Sequence, residues 1–113
     1  MEHTIERSEG TEVIHIGGEL TISYAGQLRE IFLQALSESK MIKLNLEQVT
    51  EVDLSCLQLL CSAHRTAVSI GKNFIRSGEC PESLKSAAER AGFLRNKGCV
   101  EGCFWGGIYR IDR

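Results

Sequence analysis

The chain has 113 residues, 42% of them apolar and 25% charged, with a formal net charge of −2. That length predicts one domain with its own core, and the near-neutral balance offers no basic surface for nucleic acid or an anionic membrane. No apolar run approaches the ~20 residues of a membrane-spanning helix, and Met1–Arg7 lacks a leader's apolar stretch, so a cytoplasmic protein without direct membrane insertion is expected.

In chain order, residues 3–7 and 11–16 read as two strands joined by Ser8-Glu9-Gly10, a hairpin signal. Ile14 and Ile16 share one face of the second strand, and Val13 and His15 the other. Gly17-Gly18 marks a bulge or turn, and Glu19-Leu20-Thr21-Ile22 resumes an extended reading. Residues 24–38 place Leu28, Ile31, Phe32, Ala35 and Leu36 on one helical stripe, with Thr21 or Ser23 as candidate cap. Met41–Leu46 alternates, with Ile42, Leu44 and Leu46 inward: a strand. Val49–Leu60 then reads as the end of a buried strand, a tight turn carrying Asp53 and Ser55, and the start of an apolar helix.

That second helix runs from about Ser55 to Ile70 and stops at Gly71. It is apolar around much of its circumference, so its own sheet or another chain covers it, which leaves a homodimer open. Asn73–Arg76 is a short strand. Cys80-Pro81 opens a third helix with proline at the first position, striped by Leu84, Ala87, Ala88 and Ala91 and closed by Gly92-Phe93.

Alternating strands and helices predict an α/β fold: a single-domain mixed β-sheet of four to five strands with helices packed on one side. The domain is expected over residues 1–95. Residues 96–113 form an extension rich in Cys, Gly and aromatic residues, packed on or next to it.

Leu44-Asn45-Leu46, then Val49, then Val52-Asp53-Leu54-Ser55-Cys56-Leu57 resembles the signature of STAS domains. These are the anti-sigma-factor antagonists of bacteria and their relatives in transporters, lipid-transport complexes and signalling proteins. Gly18-Glu19-Leu20-Thr21 is similar to the family's entry into the first helix, and the likeness covers roughly residues 3–95. Leu54 stands in place of the motif's first serine, Cys56 in place of its glycine, and Asn45 where aspartate is common. The resemblance implies a non-enzymatic regulatory protein-binding module in signal transduction and transcription regulation, with no cofactor. It implies phosphorylation of Ser55 by an anti-sigma-type serine kinase, with a matching phosphatase as second partner. The partner face it implies gathers Gly18, Leu20, Thr21, Ser23, Asp53, Leu54, Ser55, Cys56 and Leu57.

The residues themselves allow a sharper and a plainer reading of the Asp53–Ser55 turn. A serine in the first turn of a helix tolerates a phosphate of about −1.5 to −2 charges, and a partner groove fitted to the neutral hydroxyl would reject it. Alternatively Asp53 or Ser55 is a helix cap worth about 1 kcal/mol. A constitutive adaptor subunit in the same fold, in a lipid-transport or chemosensory complex, is the alternative without phosphorylation.

Other chemistry is thinner. Nine helical residues put Ser55 roughly 13 Å from His64, which rules out a Ser/His/Asp triad. Cys56 in a first helical turn is either a reactive thiolate or a small packed residue. Cys61 and His64 are at metal-sharing spacing. Cys99 and Cys103, with Cys80, offer three of the four ligands zinc usually takes, giving a thiol or metal sensor as a further alternative. Phe104-Trp105 serves either as a partner anchor or as cover for the sheet. Gly17-Gly18 and Gly106-Gly107 lack the Lys-Ser/Thr of a phosphate-binding loop.

Overall fold

The computed structural model describes residues 1–91. Its elements run β1 (Glu2–Ser8), β2 (Thr11–Leu20), a 3₁₀ turn (Ile22–Tyr24), α1 (Ala25–Glu38), β3 (Met41–Val52), α2 (Leu54–Ser69), β4 (Asn73–Ser77) and α3 (Glu82–Arg90). The strands form one mixed sheet in the order β1-β2-β3-β4, with β1 antiparallel to β2 and the other pairs parallel. This is the α/β architecture the alternation predicted, with four strands among the described residues. Residues 92–113, including the Gly92-Phe93 closure, the 96–113 extension, Cys99, Cys103 and Trp105, lie outside them.

One face of the sheet carries the core. Ile14, Ile16 and Leu20 of β2, Ile42, Leu44 and Leu46 of β3, and Phe74 of β4 are all buried. Val13, Met41, Lys43 and Asn45, at the alternate positions, are only half-buried, so the described helices cover a single face. The predicted stripe Leu28, Ile31, Phe32, Ala35 and Leu36 is the set of buried residues in α1. Phe32 meets Phe74 edge to face at 5.3 Å, a favourable geometry for two aromatic rings. Cys56, Leu57, Leu60, Ala63 and Ala67 supply the inner face of α2, and Leu84, Ala87 and Ala88 that of α3.

Several local expectations are corrected. β3 does not stop at Leu46 but continues through Val52, because β2 also extends to Leu20 and the two keep pairing as far as Leu20 with Val52. Extended backbone ends at Leu20, and Ile22–Tyr24 tightens into the 3₁₀ turn. Neither Thr21 nor Ser23 caps α1: Tyr24 is its N-cap residue, and no side chain bonds the free N–H groups there. Pro81 is the N-cap of α3, with extended ψ of 155°, rather than its first helical residue.

The Gly17-Gly18 pair is a bulge, with register shifts against β3 on either side. Gly18 sits at φ +82, a left-handed conformation that side chains resist. A Cβ at Gly17 would stand 3.0 Å from Gln48 Cβ, so any larger residue would push the two strands apart by a few tenths of an ångström there. The bulge lies two residues before Leu20 and feeds the chain into the turn that forms the candidate site.

Candidate functional site

β2 and β3 are parallel neighbours and both point their carboxyl ends the same way, so the segments that follow them leave the sheet side by side. In open α/β sheets that edge is where partners and ligands gather. Asp53 N–H donates to Leu20 O at 3.0 Å and fixes the two exits together.

Asp53 is the centre of the arrangement. It stands at the N-cap of α2 with extended backbone, and its Oδ1 accepts from Cys56 N–H at 3.1 Å. The plainer cap function therefore falls to Asp53 and not to Ser55. Ser55 Oγ donates to the same Oδ1 at 2.7 Å. The other oxygen, Oδ2, accepts from Ile22 N–H at 2.7 Å, across thirty-one positions of sequence. Slight burial acts to raise the Asp53 pKa, but the donors from Ser55, Cys56 and Ile22 outweigh it and hold the carboxyl below the ordinary aspartate value.

The predicted site residues divide by depth. Ser55, Asp53, Thr21 and Gly18 are half-buried at the surface, and Ser23 and Leu54 are exposed. Leu20, Cys56 and Leu57 are buried in the core. They brace the turn from below and have no side chain free to meet a partner. Sequence reasoning missed Ile22: it is 71% exposed, the most exposed large apolar side chain described, and Leu54 across the turn is 54% exposed. The signal was an isoleucine between two hydroxyl residues, which an extended reading hid.

The Cys56 thiol is not a thiolate. Burial first, and the nearby Asp53 charge second, push its pKa up to about 11. Of the two readings of this residue, the small packed one is what the structure supports: the side chain is fully buried and turns toward Thr21 O at 3.5 Å. His64 is buried. Cys61 Sγ accepts from the Arg65 guanidinium at 3.0 Å. Cys80 is half-buried, and burial raises its pKa. Among the described residues no three metal-ligating side chains converge.

A shallow hollow adjoins the turn, lined by Val52, Asp53, Leu54, Leu57, Ala87 and Arg90. Its lining is mostly apolar, with Asp53 as the one acid and Arg90 as the one base. Among the described residues no helix is long and apolar enough to cross a membrane.

A strand-end surface built on a capped Asp-x-Ser turn, over this sheet order, defines a STAS-type α/β domain. Residues 3–94 match the family model described as Mlab, STAS domain, and the chain belongs to that family. No curated protein sequence matches it. Among solved structures, the anti-sigma factor antagonist SpoIIAA in its unphosphorylated form is similar at 18% identity and TM-score 0.65, with 98% of this chain and 96% of that one covered. The Bacillus cell fate determinant SpoIIAA in the phosphorylated form gives 19% identity and TM-score 0.66, covering 97% and 99%. An anti-sigma factor antagonist from Mycobacterium paratuberculosis gives 14% and 0.67, covering 88% and 85%. Mglu is similar at 20% and 0.62, but the chain spans only 20% of its length. At these identities the structural likeness establishes the fold.

Proposed function

We propose that this STAS domain is a non-enzymatic, anti-sigma-antagonist-like binding module whose partner contact is switched by phosphorylation of Ser55. The observation that carries the reading is the Ser55 hydroxyl itself. It sits half-buried in the first turn of α2, already oriented by Asp53, the carboxylate that also holds Ile22 N–H, and both Ile22 and the adjoining Leu54 expose apolar side chains. Two exposed apolar groups beside a polar centre suit a protein contact, because burying them drives association while the hydroxyl sets specificity.

In the proposed switch a partner serine kinase forms a bond between Ser55 Oγ and the terminal phosphorus of a nucleoside triphosphate. The bond to the diphosphate leaving group breaks, and the hydroxyl proton passes to a base. A phosphatase reverses the change by water attack at phosphorus, restoring the hydroxyl and releasing inorganic phosphate. The modified residue places about −1.5 to −2 charges beside the Asp53 carboxylate, on a surface the partner otherwise covers.

Intact-mass measurement of the chain expressed in its native host tests this. One phosphate, mapped to Ser55 and absent in Ser55→Ala, is the expected result. Protein that carries no phosphate on Ser55 throughout growth would overturn the switch and leave a constitutive adaptor in the same fold.

A further inference from the structure

Resting on the reading of Ser55 as the modified residue, we infer that Asp53 is a latch between Ser55 and the 3₁₀ turn. With a free Ser55 hydroxyl it holds Ile22 in place as part of the partner contact, and with a phosphate on Ser55 it lets that turn go.

The argument begins with one carboxylate serving two segments. Oδ1 holds α2 through Ser55 Oγ and Cys56 N–H, while Oδ2 holds the turn through Ile22 N–H. Phosphorylation removes the first of these donors, because the proton on Oγ is replaced by phosphorus. It also sets a dianion where a hydroxyl stood 2.7 Å from the carboxylate. The new phosphate oxygens are strong acceptors beside a helix start, and they compete with Oδ1 for Cys56 N–H. The carboxylate therefore loses donors and gains a like-charged neighbour in the same step.

The part free to respond is the side chain of Asp53. Its backbone is pinned, with Asp53 N–H bonded to Leu20 O and Asp53 O accepting from Leu57 N–H. A rotation of the carboxylate away from the phosphate takes Oδ2 off Ile22 N–H. Little then resists movement of the turn. Ile22 and Ser23 are exposed and Tyr24 is only half-buried, so no fully buried side chain anchors it. What remains is the Tyr24 N–H to Thr21 O bond at 2.8 Å and the Ala25 N–H to Ile22 O bond, which shape the turn, and the weak thiol donor of Cys56 to Thr21 O at 3.5 Å, which ties only the residue before Ile22 to α2. The partner this fits presents an apolar recess for Ile22 and Leu54 together, and it loses half of that contact when Ile22 departs.

The test is amide hydrogen exchange on the full chain, with phosphoserine installed at position 55 during synthesis so that no kinase is required. Ile22 N–H should exchange at least about fivefold faster in the phosphoserine chain than in the unmodified one. Asp53→Asn should do the same, because an amide that turns its oxygen to Cys56 N–H presents an NH₂ group to Ile22 N–H. Ser55→Ala, which removes the hydroxyl and leaves the carboxylate, should stay below that factor. The amides of Ile14 and Leu44 report that the sheet is intact; if the phosphoserine chain loses protection there, Asp53→Asn against Ser55→Ala decides. Ile22 exchange changing by less than about fivefold in the deciding chain overturns the latch. The outcome is independent of whether the native host phosphorylates Ser55, so failure of the latch and failure of the switch are read separately.

Discussion

Replacing Asp53 with alanine removes three hydrogen bonds at once and leaves the core untouched. The lost N-cap to Cys56 N–H costs about 1 kcal/mol. The lost charge-assisted bond to Ile22 N–H, exposed to solvent, costs about 1 kcal/mol more. Ser55 recovers its own loss by bonding water. The total, about 2 kcal/mol, lowers the melting temperature by roughly 8 °C for a chain of this size. The carboxyl is held below its ordinary value in the folded chain. The stability it supplies is therefore complete above the unfolded aspartate value and is lost as the pH falls through the folded one. Urea unfolding of wild type and Asp53→Ala, run from pH 7 down to about 3, should show a steady gap that closes only below the ordinary aspartate range. A difference under about 0.5 kcal/mol at pH 7, the range of a plain surface change, refutes the reasoning. So does a gap that widens with acid.

Leu57→Ala should cost about 2–5 kcal/mol in denaturant unfolding, since the side chain is buried, whereas exposed Leu54→Ala should stay within about 0.5 kcal/mol. Cys61 and Cys80 should be alkylated at pH 8 in the native chain, as located by peptide mass. Cys56, buried with its pKa pushed up to about 11, should stay unmodified until the chain unfolds. Gly18→Ala should cost about 1–2 kcal/mol through its left-handed backbone, measurable as a drop in melting temperature. Gly26→Ala, in α1 with open space around its Cα, should gain about 0.5 kcal/mol by the same measurement.

Much of this fold was legible because its signals are periodic and local. The stripe Leu28–Leu36 repeats with the helical period, and Ile42, Leu44 and Leu46 alternate with the strand period; packing against one sheet face used both as written. The second half of β3 was not legible. Glu47, Gln48, Thr50 and Glu51 are exposed and break the alternation, and they are extended only because β2 lies alongside. The 3₁₀ turn was hidden for a related reason. Its geometry depends on Asp53, a residue thirty-one positions away, and no local pattern encodes that bond. At the candidate site the sequence pointed to Asp53 and Ser55 but could not divide their roles. Which of two neighbouring oxygens meets a helix N–H is decided by the backbone angles of the N-cap, and those follow from how β3 ends.

Every residue of β1 is exposed, although the strand is fully paired with β2. Its attachment therefore relies on ladder bonds, with Arg7 reaching Glu12 and Glu38 at the far end as the one lateral tie among the described ion pairs that joins it to α1. A border strand that contributes no side chain to the interior gives the rest of the molecule little reason to unfold with it. Thermal fraying will start there, with β2 through α3 persisting as the cooperative unit. The surface around Asp53 belongs to that persistent unit, so whatever the chain binds there can stay bound while its border strand comes and goes.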